Sequence, residues 1–142
     1  MGFLDNKSYF DGDKPLIIPH RGGSNLVPEN TLHGLELAIR EGFSHFETDL
    51  RMSKDGEIFL HHDETFDRTT NVSGKVQDFN WSEISKINAG YKFYEKTNQK
   101  GKKTIETKGA PQFVLAQEVG DILTDISNLT TCLLYTSPSP RD

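Results

Sequence analysis

Apolar and polar positions along this chain follow two different periods, and the periods mark its elements. Over residues 31–41, Leu32, Leu35 and Ile39 recur at three- and four-residue steps and Phe43 continues the stripe, the spacing of one buried helix face. Asn30 stands where an N-cap belongs and Gly42 where a helix stops, so a helix over 31–41 is predicted. Just beyond, the period falls to two. Phe46, Thr48, Leu50 and Met52 take one parity, and His45, Glu47, Asp49 and Arg51 the other, which predicts a strand with one largely apolar and one charged face. The Asp55-Gly56 pair before a second strand-like run, EIFLHH, is a hairpin signal. Centring the turn on that pair puts Asp49 opposite His62 and Glu47 opposite Glu64.

Weaker patterns flank this core. Residues 16–19 read as a short buried strand between Pro15 and a glycine pair. Residues 82–87 predict a short helix with Ser82 as N-cap and Gly90 near its end. Residues 94–108 are rich in lysine and glycine and read as an exposed loop, while 114–126 return loosely to helical spacing, with Gly120 weakening the pattern. The last eleven residues, CLLYTSPSPRD, contain a Ser-Pro-Ser-Pro run that builds no element. They resemble a translated sequencing adapter, so 132–142, Cys132 included, are read as a non-native tail.

Composition narrows the classes. A chain of 142 residues with 34% hydrophobic and 26% charged content has the make-up of a soluble globular protein. Its net charge of -5 argues against a nucleic-acid partner and is compatible with carboxylates gathered around a cation. One cysteine excludes an internal disulfide framework and a cysteine-based zinc site. No stretch approaches a membrane span, and the first residues lack the basic and apolar regions of a signal peptide, so a cytoplasmic location is expected. Asn6 stands where a myristoylation pattern wants Ser or Thr, and the sequons at Asn71 and Asn128 are read as chance.

Four segments carry candidate chemistry: HRGGSNLVPENT (20–31), FETDLRMSKDGEI (46–58), HDETFDRTTNVSGKV (62–76) and WSEISKINAG (81–90). In this order and at this spacing they resemble the amino-terminal portion of the glycerophosphodiester phosphodiesterase family, over roughly residues 15–90 and more faintly to about 125. The resemblance implies an α/β fold, a (β/α)₈ TIM barrel of the phosphatidylinositol-phosphodiesterase-like type, here partial and truncated after about three strands, since such barrels take about 250 residues. It implies an N-terminal extension over 1–14 and a partial catalytic domain over 15–131. The implied activity is metal-dependent hydrolysis of a small glycerophosphodiester to an alcohol and glycerol phosphate, with Mg²⁺ or Ca²⁺. Related barrels of the sphingomyelinase D or phospholipase C kind, or a non-catalytic binding module, are the alternatives.

The implied roles fall on named positions. His20 and His62 match the general acid and base, Arg21 the phosphate-binding arginine, Glu47 and Asp49 two metal-ligating carboxylates, and Glu29 a glutamate at the site that is often structural. The chemistry suits these types. A hard cation takes carboxylate oxygens, a guanidinium and a cation offset phosphoryl charge, and histidine exchanges protons near neutrality. Gly22 and Gly23 are read as leaving room for substrate at the backbone. Taken singly, each residue has an ordinary structural explanation, and their joint occurrence is what lifts the set. His33, His45 and His61 keep that ordinary explanation, and Arg68 is read as a loop organiser. A third carboxylate ligand is expected in a later strand as Glu-x-Lys. Glu106 and Lys108 have that form, but they precede a segment that matches upstream of the ligand strand, so they are read as coincidence.

Overall fold

A computed structural model describes residues 17–43, 45–94, 111–125 and 130–135. The helical stripe forms α1, Leu32–Arg40. It ends at Gly42, which has a φ of +77°; the Phe43 N–H reaches the Ala38 carbonyl and the Gly42 N–H reaches that of Ile39, the Schellman arrangement. The N-cap position is Thr31, one residue later than expected. Asn30 is left-handed instead, with a φ of +55°, and its side chain is engaged elsewhere.

The alternating run forms β1, His45–Met52, and the hairpin returns as β2, Ile58–Leu60. The register differs from expectation by one residue. Leu50 pairs with Leu60, Arg51 with Phe59 and Met52 with Ile58, and the His61 N–H donates to the Asp49 carbonyl. His61, not His62, therefore lies across from Asp49. The cause is the turn. Ser53 N–H closes onto the Glu57 carbonyl, so Asp55-Gly56 sit inside a longer loop. The Asp55 carboxylate accepts the Ser53 hydroxyl and the Trp81 N–H, which ties that loop to the next helix.

That helix, α2, is Trp81–Ile84 with Asn80 at its cap, slightly ahead of the predicted span. The Glu83 carboxylate accepts the Asn80 N–H. The later helical pattern forms α3, Ala116–Asp125. A last strand, β3, runs over Thr130–Tyr135 and lies parallel to β1, so the sheet order is β2-β1-β3 with β1 central. The first four residues of the 132–142 segment thus join the ladder; 136–142 lie outside the described residues, as do Ile126 and the expected loop over 95–108 with Glu106 and Lys108. Two parallel strands bracketing a helix are the repeating unit of α/β barrels. Of the strand predicted over 16–19, residue 16 lies outside the described residues, and residues 17–19 form no strand among the described residues, with Ile17 exposed.

Two cores hold the elements. Leu35 and Ala38 of α1 pack with Phe46 and Leu50 of β1, Leu60, Val114 and Val119. Phe59, Phe66, Val76, Ile84, Ile87 and Phe113 form the second, under the loops after β2. His61 belongs to this second core. It is buried, stacks on Phe59, and its Nε2 donates to the Thr65 carbonyl at 2.9 Å. Burial therefore pushes its pKa down, in keeping with its structural assignment.

Candidate functional site

The site is built over the charged face of β1, which is not solvated. Asp49 and Arg51 are only 4% and 7% exposed, so their charges require partners. Two loops supply them.

The first loop runs from His20 to Asn30. His20–Gly22 is one 3-10 turn in which Arg21 itself is left-handed, with φ 49° and ψ 34°. Such a conformation costs on the order of 1–3 kcal/mol in a non-glycine residue. It turns the Arg21 N–H onto Glu47 Oε2 at 2.6 Å, a charge-assisted bond that offsets the strain. The guanidinium meanwhile reaches Glu29 Oε1 at 3.2 Å and lies with Nε 3.6 Å from Asp49 Oδ2. That Nε is buried without a hydrogen-bond partner, so its pairing with Asp49 is through charge. Gly22 makes the turn possible through close packing. It is buried, and a Cβ there would stand 2.7 Å from the Phe46 ring, while one on Gly34 would stand 2.5 Å from the Gly22 carbonyl oxygen. The glycine lets the loop press onto β1 and α1.

Asn30 completes the first loop. Its Oδ1 accepts the Thr48 hydroxyl at 2.6 Å and the Asp49 N–H at 3.1 Å, and its Nδ2 donates to Asp49 Oδ2 at 3.2 Å. All three residues are buried. Asparagine tolerates the left-handed region, which lets this side chain turn inward and hold the carboxylate of Asp49.

The second loop follows β2 and carries His62. Arg51 fixes its backbone, donating through Nε and Nη2 to the His62 carbonyl at 2.9 and 2.7 Å. The half-exposed His62 ring places Nδ1 2.7 Å from Asp63 Oδ1. Arg68 donates to both Asp63 oxygens, at 2.8 and 2.9 Å, and to both Glu29 oxygens, at 3.0 and 2.6 Å. Burial works to raise the Asp63 pKa, but the hydrogen bonds from Arg68 and His62 outweigh it and hold the carboxyl far below its ordinary range. Glu29 is lowered in the same way, with bonds and charge from Arg68 and the charge of Arg21 overcoming burial. Both are carboxylates at neutral pH, and their hydrogen bonds push Arg68 upward.

Of the residues named from the sequence, Arg21, Glu29, Glu47 and Asp49 are in direct contact, and His62 joins them through Asp63 and Arg68. His20 is exposed, one residue before Arg21. Asn30, Arg51, Asp63 and Arg68 are the members that pattern reading did not place in the site. Among the described residues, no three His, Cys, Asp or Glu side chains converge to hold a metal. A cavity of about 280 Å³ is lined by His20, Gly22 and Gly23 of the 3-10 turn together with Ile17, Leu26, Leu37 and Phe43.

The family model described as "Glycerophosphoryl diester phosphodiesterase family" matches residues 20–130. The chain belongs to this family. A glycerophosphodiester phosphodiesterase of Caldanaerobacter subterraneus subsp. tengcongensis is 49% identical over 83 residues, covering 58% of this chain and 34% of that protein. The crystal structure of glycerophosphodiester phosphodiesterase from Agrobacterium tumefaciens is 31% identical with a TM-score of 0.69, covering 86% of this chain and 47% of that one. An Oleispira antarctica phosphodiesterase, solved in complex with the product sn-glycerol-3-phosphate, is 26% identical with a TM-score of 0.70, covering 86% and 44%. The fold of this family member is a partial (β/α)₈ barrel, and the chain spans about a third to a half of the length of these relatives. No helix among the described residues is long and apolar enough to cross a membrane.

Proposed function

We propose that this chain carries one part of a phosphodiesterase site that hydrolyses glycerophosphodiesters to an alcohol and glycerol phosphate. The observation that carries the reading is the convergence of Glu47 and Asp49, alternate residues of β1, on the backbone and guanidinium of Arg21. Two carboxylates on one strand face are the donor type that a hard divalent cation, Mg²⁺ or Ca²⁺, takes. Glu47 and Asp49 would hold that cation, with a further carboxylate supplied from a later barrel strand. When bound, it supplies electrostatic stabilisation of the phosphoryl oxygens. Arg21 binds the phosphate. His20 and His62 exchange the protons, one accepting from the attacking oxygen and one donating to the leaving alcohol. The domain then occupies residues 15–131, with 1–14 as an extension, and the remaining strands of the barrel complete it.

The test is release of glycerol phosphate from a glycerophosphodiester by the gene product carrying the whole barrel. Turnover should vanish on EDTA treatment and return with Mg²⁺ or Ca²⁺, and activity indifferent to chelation overturns the cation's role. His20→Ala and His62→Ala should each lower turnover by about a hundredfold or more. A wild-type rate in either variant removes that histidine from the reaction.

A further inference from the structure

Residues outside the predicted set link the two loops, and they do so with unusual directness. From His62 the contacts run to Asp63, from Asp63 to Arg68, from Arg68 to Glu29 and from Glu29 to Arg21. Every step is a hydrogen bond between charged or polar side chains. The two loops are 39 positions apart at the Arg68–Glu29 step.

We propose that Asp63 and Arg68 are positioning residues of this site: Asp63 fixes the tautomer and orientation of the His62 ring, and Arg68 holds that histidine in register with Arg21 through Glu29. The inference rests on the proposed roles of His62 and Arg21 in hydrolysis.

Donor and acceptor chemistry dictates the first half. An ionised carboxylate only accepts hydrogen bonds. At 2.7 Å from Asp63 Oδ1, Nδ1 of His62 must therefore carry the hydrogen. In the neutral ring that leaves Nε2 with its lone pair, ready to take a proton, and in the charged ring it makes Nε2 the atom that gives one. Asp63 Oδ1 also accepts from Arg68 Nη2 at 2.9 Å, so the carboxylate cannot swing with the ring.

Geometry dictates the second half. The planar guanidinium of Arg68 grips two carboxylates, with two bonds to each. A lysine ammonium cannot reproduce that fork. The side chain is 43% exposed, and exposed ion pairs contribute little to stability. What a double fork supplies is fixed geometry. Arg51, gripping the His62 carbonyl, holds the backbone of the same residue from the other side.

The experiment reads the ring directly. The chain is labelled with ¹⁵N-histidine, and long-range ¹H–¹⁵N correlations report which ring nitrogen bears the hydrogen, with His62 assigned by the loss of its signals in His62→Gln. The expected result is the Nδ1–H form for neutral His62, reverting in Asp63→Ala to the Nε2–H form that free histidine favours, with a mixture in Arg68→Lys. An Nε2–H ring in the unmodified chain overturns the proposal, so it stays falsifiable if a variant fails to fold. Survival of the Nδ1–H form in Asp63→Ala also overturns it. This reading needs neither turnover nor a cation: with the tautomer as expected and no hydrolysis by the whole barrel, the functional reading fails and the pairing stands. In the active barrel, Asp63→Ala should lower kcat by about 10- to 100-fold with KM little changed, the scale at which supporting residues act. An unchanged kcat removes Asp63 from the role.

Discussion

Replacing Asn30 with alanine removes a single small side chain, yet the structure makes it one of the costliest changes available. The amide holds Thr48 and Asp49 together, two buried residues from the centre of the sheet. Without it the Thr48 hydroxyl and the Asp49 N–H lose their acceptor, and each buried orphan costs about 1–3 kcal/mol. Asp49 also loses the donor to Oδ2 but retains the Arg21 charge at 3.6 Å. Alanine at a φ of +55° adds about 1 kcal/mol of left-handed strain. The total is roughly 3–7 kcal/mol, a large part of the 5–15 kcal/mol that usually holds a domain together. Glycine separates the two contributions, because it loses the same hydrogen bonds without the strain, so Asn30→Gly should be less damaging than Asn30→Ala by about 1 kcal/mol. Urea unfolding followed through the fluorescence of Trp81, the sole tryptophan, which packs on Phe59, measures both. An alanine variant within 1 kcal/mol of the parent would refute the hub role of Asn30.

Two further outcomes follow from the packing. Gly34→Ala should destabilise by about 1–3 kcal/mol although alanine is the better helix former, because its Cβ would meet the Gly22 carbonyl at 2.5 Å and backbone cannot step aside; a raised melting temperature would show that the contact yields. Burial holds the His61 pKa below its ordinary value, so the unfolded chain takes up that proton first and the residue's contribution, full above about pH 6.5, is lost as the pH falls. The stability of His61→Phe should therefore fall less steeply between about pH 7 and pH 5, and an equal loss of unfolding free energy over that range in the two proteins, measured by denaturant unfolding at each pH, counts against it.

The sequence made legible what is periodic or local. The stripe of Leu32, Leu35 and Ile39 announced α1 and its packing face, since each falls against the core from a position fixed by helical geometry. The parity of β1 likewise separated Phe46 and Leu50 from Glu47 and Asp49. What escaped was set by partners distant along the chain. Asn30 looked like a helix cap because caps are the ordinary use of an asparagine before a helix; its actual partners lie 18 and 19 positions away. The register shifted by one because Asp55 holds Ser53 and Trp81 and so widens the turn. Arg68 was placed as a loop organiser, which it is, but nothing in its neighbourhood shows that one end of the fork reaches Glu29. Residues 17–19 of the strand expected over 16–19 form no strand because apolar residues make a strand only beside another, and none of the described residues pairs with them.

The seam between Gly22 and Gly34 has a mechanical consequence. With no side chain on either surface, the loop that bears His20 and Arg21 rests on α1 backbone to backbone. Side-chain layers act as springs, since rotamers can shift to absorb a displacement, and this joint has none. A tilt of α1 must arrive at Arg21 nearly undiminished, whereas it reaches His62 only through the longer run of side chains by Glu29, Arg68 and Asp63. Any redesign of the proposed site should therefore leave the seam untouched.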